Sequence, residues 1–365
     1  MEPRAIPIAD TAAALTPEWL TAVLRASGRL GSATVTRADL TAVGTGQMCD
    51  SFRVTLQYEG DGSAAAPATV IAKLPAADET SRATAKTLRS YENEVRFYQQ
   101  LAPGLPVRTP VVHHADIDVD TASFVLILED MAPARQGDQL LGCSAEVARV
   151  AVDELVRLHA PRWDDPTLTE MEWLHRDRAA QEEFLLMLLP GLWDGFRARY
   201  ALSLDPVVLT AGHALFSSLV AYFGAATQPW TIVHGDYRLD NLLFDPTPGG
   251  VPVTVVDWQT CTHGPAMQDV AYFIGAGMQR GERRDAENDL VRGYHAGLVA
   301  AGVKRYDWER CWQDYRRGTW SGLIMAVAAS MLVERTERGD EMFLTMATRH
   351  SHHALDLGAV DLLTA

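Results

Sequence analysis

Apolar positions along this chain change period from segment to segment, and the changes divide it into two parts. Residues 17–30, PEWLTAVLRASGRL, carry apolar side chains at helical spacing. Thr16 stands where an N-cap belongs, Pro17 in the first turn, and Gly28 where a helix stops. The period then shortens to that of strands. Segments 34–43, 52–58, 68–74 and 123–129 are short, rich in Val, Ile, Thr and Phe, and separated by Gly and Asp clusters, which predicts an antiparallel sheet. One helix interrupts the series, over 80–101, where Leu88, Tyr91, Val95, Tyr98 and Leu101 recur at three- and four-residue steps. Pro103, Pro106 and Pro110 break the chain before the last strand pair, and the Ala/Gly/Ser-rich patch at 60–68 reads as a hairpin loop.

From Ser144 onward helical periodicity dominates, over 144–159, 178–202, 206–225, 266–279, 283–301, 308–334 and 338–357. The exception is a compact β-like island at 230–258, whose second half, VPVTVVDWQ, follows a Pro-Gly-Gly turn. The expected architecture is therefore α+β: a small β-rich N-terminal lobe, 1–131, and a larger helical C-terminal lobe, 132–365, with a polar hairpin inside the second.

Composition narrows the function. A chain of 365 residues that is 47% hydrophobic can bury two cores. Its net charge of −15 argues against nucleic-acid binding, which rests on clustered Lys and Arg. Cys49, Cys143, Cys261 and Cys311 are widely spaced, so neither a zinc site nor a disulfide framework is expected, and a reducing cytoplasm fits best. The N-terminal residues lack the pattern of a signal peptide, and the apolar run Trp320–Val333 is too short for a bilayer, so no membrane association is expected.

The island carries the chemistry. Ile232-Val-His-Gly-Asp-Tyr-Arg-Leu-Asp-Asn-Leu-Leu-Phe-Asp245 contains Asp236 and Asn241 in the spacing D-x-x-x-x-N, in which an Asp accepts a hydroxyl proton and an Asn binds a metal. Asp257 closes the run Val253–Val256, and a hairpin would bring it near Asn241. Two such oxygen ligands suit Mg2+, which takes few protein ligands plus substrate phosphates. Each feature alone is an ordinary turn or cap; their order and joint spacing carry the reading.

The N-terminal part holds what a nucleotide phosphate needs. Val43-Gly-Thr-Gly46 lies between two strand-like segments, where Gly44 and Gly46 let backbone N–H groups approach phosphate oxygens. Lys73 emerges from the apolar strand Thr69-Val-Ile-Ala-Lys73 and needs a partner if enclosed, for which the 80–101 helix offers Glu92 and Glu94. Phe124–Met131 ends in polar residues, with Glu129 and Met131 placed to offer backbone groups to an adenine edge. His159 reads as a packed structural histidine, and His350-Ser-His352-His353, without acidic partners in its helix, as surface.

Taken in order, the G-x-G turn, strand Lys, helix Glu, HGD-x-x-x-x-N and strand Asp resemble the aminoglycoside phosphotransferase and choline kinase group of the protein-kinase-like fold. Glu94-Val-Arg-Phe-Tyr98, Leu128-Glu-Asp-Met131, His234–Asn241 and Val256-Asp-Trp-Gln259 look like the branch that includes ecdysteroid-kinase-like proteins. The resemblance implies Asp236 as catalytic base, Asn241 and Asp257 as Mg2+ ligands, and Lys73 on the α/β-phosphates with Glu94 preferred over Glu92. It also implies Asp269 and His234 as braces of the loop. The glycine loop departs from the pattern in having Met48 and Cys49 where a further glycine is usual. Only eleven residues separate Asp257 from Asp269, which leaves no room for a long activation segment and favours a small-molecule acceptor.

The expected reaction is in-line transfer of the γ-phosphoryl of ATP, or GTP, to an alcohol of an aminoglycoside-, sugar- or sterol/polyketide-like acceptor, by positioning and charge neutralisation. Arg238 either neutralises the transferring group or is a surface arginine paired with Asp240. Trp193, Phe196, Tyr200, Tyr222, Trp312, Trp320, Met325 and Met331 are candidates to line an apolar acceptor site, with core packing as the simpler alternative. No obligate protein partner is indicated. The competing class is a catalytically silent pseudokinase or interaction module; a P-loop NTPase is excluded because no G-x-x-x-x-G-K-[ST] occurs.

Overall fold

A computed structural model describes residues 6–44, 48–61, 65–175, 177–224 and 229–363. They form two compact units: Met1–Gly104 with Thr109–Ala132, and Leu105–Arg108 with Pro133–Ala365.

The first unit starts with α1 (Pro17–Ala26), capped by Thr16 Oγ1, which accepts the Trp19 N–H at 3.2 Å. β1 (Thr34–Ala42), β2 (Cys49–Glu59) and β3 (Thr69–Pro75) follow, then α2 (Glu79–Leu88), α3 (Ser90–Arg96), β4 (Val112–Asp118) and β5 (Ser123–Glu129). The five strands make one antiparallel sheet in the order β1-β2-β3-β5-β4. Strand alternation sorts β3: Val70, Ala72 and Leu74 join Trp19, Leu20, Val23 and Leu24 of α1 in the core, so Lys73 points to the opposite face.

The helix expected over 80–101 is broken. Arg89 adopts φ 58°, closing α2 through N–H bonds to Ala85 and Lys86, and α3 then runs into a wider turn over Phe97–Leu101. The left-handed residue re-aims the second half, so that Tyr91 O–H reaches the Met48 carbonyl at 2.6 Å and Glu94 reaches Lys73. Periodicity carries no mark of such a break, because both halves keep helical spacing.

The second unit contains β6 (Arg135–Gln136), α4 (Ala145–His159), α5 (Arg178–Arg199), α6 (Pro206–Phe216), α7 (Leu219–Gly224), β7 (Thr231–Val233), β8 (Leu242–Phe244), β9 (Val253–Val255) and β10 (Thr262–Gly264). It ends with α8 (Met267–Gly277), α9 (Arg280–Ala300), α10 (Trp308–Leu332) and α11 (Glu337–Asp356). β6-β8-β9 and β7-β10 are small antiparallel ladders. The helix expected over 206–225 is two helices: Ser217 Oγ donates to the His213 carbonyl at 2.6 Å and the chain turns at Ser217-Ser218, a serine side chain competing for helix acceptors. Trp193, Phe196, Tyr200, Tyr222 and Trp320 are core residues here, with Met325 and Met331 packed against them, and Trp312 stacks on Trp308 and Tyr315. Those side chains take up the packing role, the simpler of the two readings.

The His350–His353 segment is also not surface. His350 and His353 are fully buried on α11, facing Gly275 of α8 and Gly322 of α10. A Cβ at Gly322 would lie 2.0 Å from His350 Cε1, and one at Gly275 would lie 2.4 Å from His353 Nδ1. The acidic partner absent from α11 comes from α9: Glu287 lies 3.3 Å from His353 Nε2 and pairs with Arg283 at 2.7 Å. No helix among the described residues is long and apolar enough to cross a membrane, and no disulfide joins the cysteines.

Candidate functional site

In the first unit, Lys73 Nζ lies 2.6 and 2.7 Å from Glu94 Oε1 and Oε2. Glu94 is wholly buried and Lys73 9% exposed, so the pair is desolvated. Glu92 points elsewhere, to Arg89 at 2.8 Å. Gly44 has φ +79° with open space where a Cβ would stand; Gly46 lies outside the described residues. Glu129 Oε2 accepts the Val111 N–H at 3.0 Å, next to Asp130, which takes Arg53 at 2.6 and 3.1 Å. Met131, half-buried, follows the end of β5.

The second unit holds the catalytic-loop residues together. Asp269, on the first turn of α8, accepts the N–H of His234 (2.7 Å) through Oδ2 and that of Gly235 (2.9 Å) through Oδ1. Its Oδ2 also meets His159 Nε2 at 3.3 Å, while His159 Nδ1 contacts Tyr294 O–H at 2.7 Å. The His234 ring lies against Trp258; its Nε2 donates to the Val256 carbonyl at 3.0 Å, leaving Nδ1 to accept the Asp236 N–H at 3.3 Å. Thr260 Oγ1 donates to the His234 carbonyl at 2.8 Å. Gly235 has φ +82°, and a Cβ there would stand 2.6 Å from the Thr260 carbonyl oxygen, so the turn admits glycine alone.

Asp236 emerges from this turn with its side chain 21% exposed. Its Oδ2 accepts Asn241 Nδ2 at 2.9 Å and Arg238 Nε at 3.1 Å, and its Oδ1 accepts Tyr272 O–H at 2.6 Å. Burial, and next the Asp236 charge, push the Tyr272 phenol well above its ordinary value, so it stays a donor. Arg238 pairs with Asp240, as in one of its two expected roles, and with Asp236 as well. Nε meets Asp236 and Nη1 meets Asp240 at 2.5 Å and Met342 Sδ at 3.1 Å, with the side chain 18% exposed. Burial works against the Arg238 charge, and Asp236 and Asp240 overcome it, raising its pKa. Asp240 is itself raised by burial but lowered more by Arg238, Arg338 and the Gln139 N–H, and ends below the usual carboxylate range.

Asn241 and Asp257 flank the β8–β9 ladder, where Leu242 pairs with Val255 and the Val256 N–H reaches the Asn241 carbonyl at 3.0 Å. Asp257 has left-handed backbone, φ 67°. Both Asn241 amide hydrogens are committed, to the Asp236 carbonyl (2.8 Å) and carboxylate, which leaves Oδ1 as the acceptor atom. An amide oxygen so oriented and a nearby carboxylate are the hard oxygen donors a Mg2+ ion takes. Among the described residues no group of three or more His, Cys, Asp or Glu is arranged to hold a metal, so that fit rests on this pair.

Tyr272, Gln139, Thr260 and Arg338 escape the sequence reading. Tyr272 alone left a signal, being three residues after Asp269 and thus on the same helical face. Gln139 takes the Leu239 N–H on Oε1 at 3.0 Å and gives its own N–H to Asp240 at 3.0 Å, from about a hundred residues upstream, where no local pattern announces it.

The sequence profile of the phosphotransferase enzyme family matches residues 63–311, about two thirds of the chain. The chain belongs to this family. Its fold is shared by choline kinase from Cryptosporidium parvum (9% identity, 94% of this chain and 98% of that one, TM-score 0.58). It is likewise shared by ethanolamine kinase from Plasmodium vivax (11%, 91% and 87%, 0.51) and a microcompartment-associated aminopropanol kinase (15%, 91% and 95%, 0.51). These place the chain in a kinase-like α+β fold. Short stretches also match acyl-CoA dehydrogenase family member 10 of Mus musculus, 51% identical over 45 residues, and the probable acyl-CoA dehydrogenase IBR3 of Arabidopsis thaliana, 49% over 41. They cover 12% and 11% of this chain, and only 4% and 5% of those relatives' lengths.

Proposed function

We propose that this phosphotransferase moves the γ-phosphoryl group of ATP to an alcohol of a small molecule, with Asp236 orienting the hydroxyl and taking its proton. The observation that carries this reading is the Asp236 carboxylate, fixed by three donors on a turn anchored to Asp269 and still reaching solvent. A positioned carboxylate is what general-base catalysis requires, and such groups contribute about 10²–10⁴-fold. Lys73, held by Glu94, would bind the α/β-phosphates, with Gly44 and Gly46 beside them and Glu129 and Met131 at the base. Asn241 and Asp257 would hold Mg2+, which when bound neutralises phosphate oxygens. Arg238 Nη2, which has no hydrogen-bond partner among the described residues, would face charge on the transferring group while Asp236 and Asp240 hold its other nitrogens.

The named structural neighbours are kinases of choline, ethanolamine and aminopropanol, and small alcohols are the acceptor class we extend to this chain. Two observations favour an acceptor that is not a cation. Arg238 and Arg338 both approach Asp240 beside the base, so that carboxylate is already matched. The short, highly similar segments occur in proteins named as acyl-CoA dehydrogenase family members, which favours a hydroxylated acyl compound over an amino sugar.

The test is acceptor-dependent ADP release across hydroxy acids, hydroxyacyl thioesters, sterols, sugars, amino alcohols and aminoglycosides, with Asp236→Ala as control and Mg-ATP binding measured in parallel. Release above control with one acceptor class supports the reading. Binding without release leaves the pseudokinase, and neither binding nor release ends the kinase assignment.

A further inference from the structure

The two oxygens of the Asp236 carboxylate differ in their surroundings. A carboxylate offers about four lone-pair sites, two on each oxygen. Oδ2 has both in use, toward Asn241 Nδ2 and Arg238 Nε. Oδ1 accepts one bond, from Tyr272 O–H at 2.6 Å, and no second one from the described residues. One acceptor position therefore remains on the group, and it lies beside the tyrosine.

We propose that Oδ1 of Asp236 is the oxygen that receives the acceptor hydroxyl, and that Tyr272 is the positioning residue that aims it. This rests on the reading of Asp236 as the base. In the step, the acceptor O–H proton passes to Oδ1 as the acceptor oxygen bonds to the γ-phosphorus. The bond from that phosphorus to the β,γ-bridging oxygen breaks, and ADP leaves with the electron pair. Tyr272 keeps its proton throughout; its contribution is direction, through a charge-assisted hydrogen bond of the stronger kind.

The tyrosine is itself held. It is 3% exposed, and its ring stacks on His350 with centroids 5.3 Å apart and planes 23° apart. Neither His350 ring nitrogen has a hydrogen-bond partner among the described residues, so that side chain serves here as a packing plate, seated where Gly275 and Gly322 leave room. Tyr272 and Asp269 share one face of α8. The same helix thus fixes the loop's backbone through Asp269 and its reactive carboxylate through Tyr272, and a rigid support of both kinds is what precise positioning needs.

Tyr272→Phe removes only the hydroxyl and keeps the ring against His350. The expected result is a kcat about 10- to 100-fold lower with KM for Mg-ATP and nucleotide affinity unchanged, as for a misaimed base. Added to Asp236→Ala, it should produce no further loss. A readout independent of turnover uses tyrosine labelled with 13C at Cζ: Asp236→Ala should move the one resonance that Tyr272→Phe deletes. A Tyr272→Phe protein with the parent's kcat, a further loss on top of Asp236→Ala, or an unmoved resonance overturns the proposal. If the parent transfers to no acceptor while the resonance does move, the proposed function fails and Oδ1 loses its acceptor role. Tyr272 then stands only as the residue that aims the carboxylate.

Discussion

Lys73 Nζ sits between both carboxylate oxygens of Glu94, at 2.6 and 2.7 Å, in surroundings that leave the glutamate no exposure at all. Removing one partner of such a buried pair is strongly destabilising, by about 3–5 kcal/mol. Glu94→Ala is expected to lose that much by urea unfolding, and a second change, Lys73→Met, to restore most of it. Lys73→Met alone should lose a comparable amount of stability and, measured by calorimetry where it remains folded, bind Mg-ATP at least about tenfold more weakly, for loss of a charged phosphate contact. Equal nucleotide affinity in Lys73→Met would remove the lysine from the site.

Gly235→Ala places a methyl 2.6 Å from the Thr260 carbonyl oxygen on a backbone with φ +82°. Strain of that kind costs about 1–3 kcal/mol and shifts the turn that carries Asp236. Acceptor-dependent turnover should fall about 100-fold, with a lower melting temperature by circular dichroism. Unchanged kinetics would show that the turn tolerates a side chain.

Asp269→Ala strips acceptors from the N–H groups of His234 and Gly235 and from His159. Each buried donor left unsatisfied costs about 1–3 kcal/mol, so a loss of about 2–5 kcal/mol is expected in denaturant midpoints. Asp269→Asn keeps one acceptor oxygen and should fall between the parent and the alanine variant.

His263 and His175 face each other with their Nδ1 atoms 3.0 Å apart, an arrangement that needs one donor and one acceptor. Burial first, and His175 second, lower His263 from 6.5 to about 4. The unfolded chain therefore binds a proton below about 6.5 that the folded chain refuses until about 4. Stability from this pair is fully present above that window and declines as pH falls through it. Urea midpoints at pH 7.5 and 5 should drop less for His263→Gln than for the parent; equal slopes would count against the pair.

How much of this was written locally depends on which forces act. The HGD-x-x-x-x-N spacing, the strand lysine and the alternation in β3 are short-range patterns, and the fold class followed from them. The break at Arg89 leaves no local mark because both helical halves keep their apolar spacing, and the contacts that the re-aimed half makes, Glu94 with Lys73 and Tyr91 with Met48, are distant in sequence. His350 and His353 misled for a similar reason. Their burial is set by glycines on two other helices and by Glu287 on a third, none of them within reach of a local reading. For Arg238 the local pattern offers Asp240 but not Asp236, and a guanidinium has donors enough to take both.

The seating of His350 against Gly275 and Gly322 makes three distant positions behave as one hereditary unit. A side chain at either glycine collides with the His350 imidazole, and one at Gly275 meets His353 as well, whereas a smaller residue at 350 first clears the ground at Gly322. Epistasis is thereby built into the helix packing. Lineages can diversify α8 and α10 here only by a route that opens with α11, and the order of substitutions, as much as their identity, decides which descendants keep a folded enzyme.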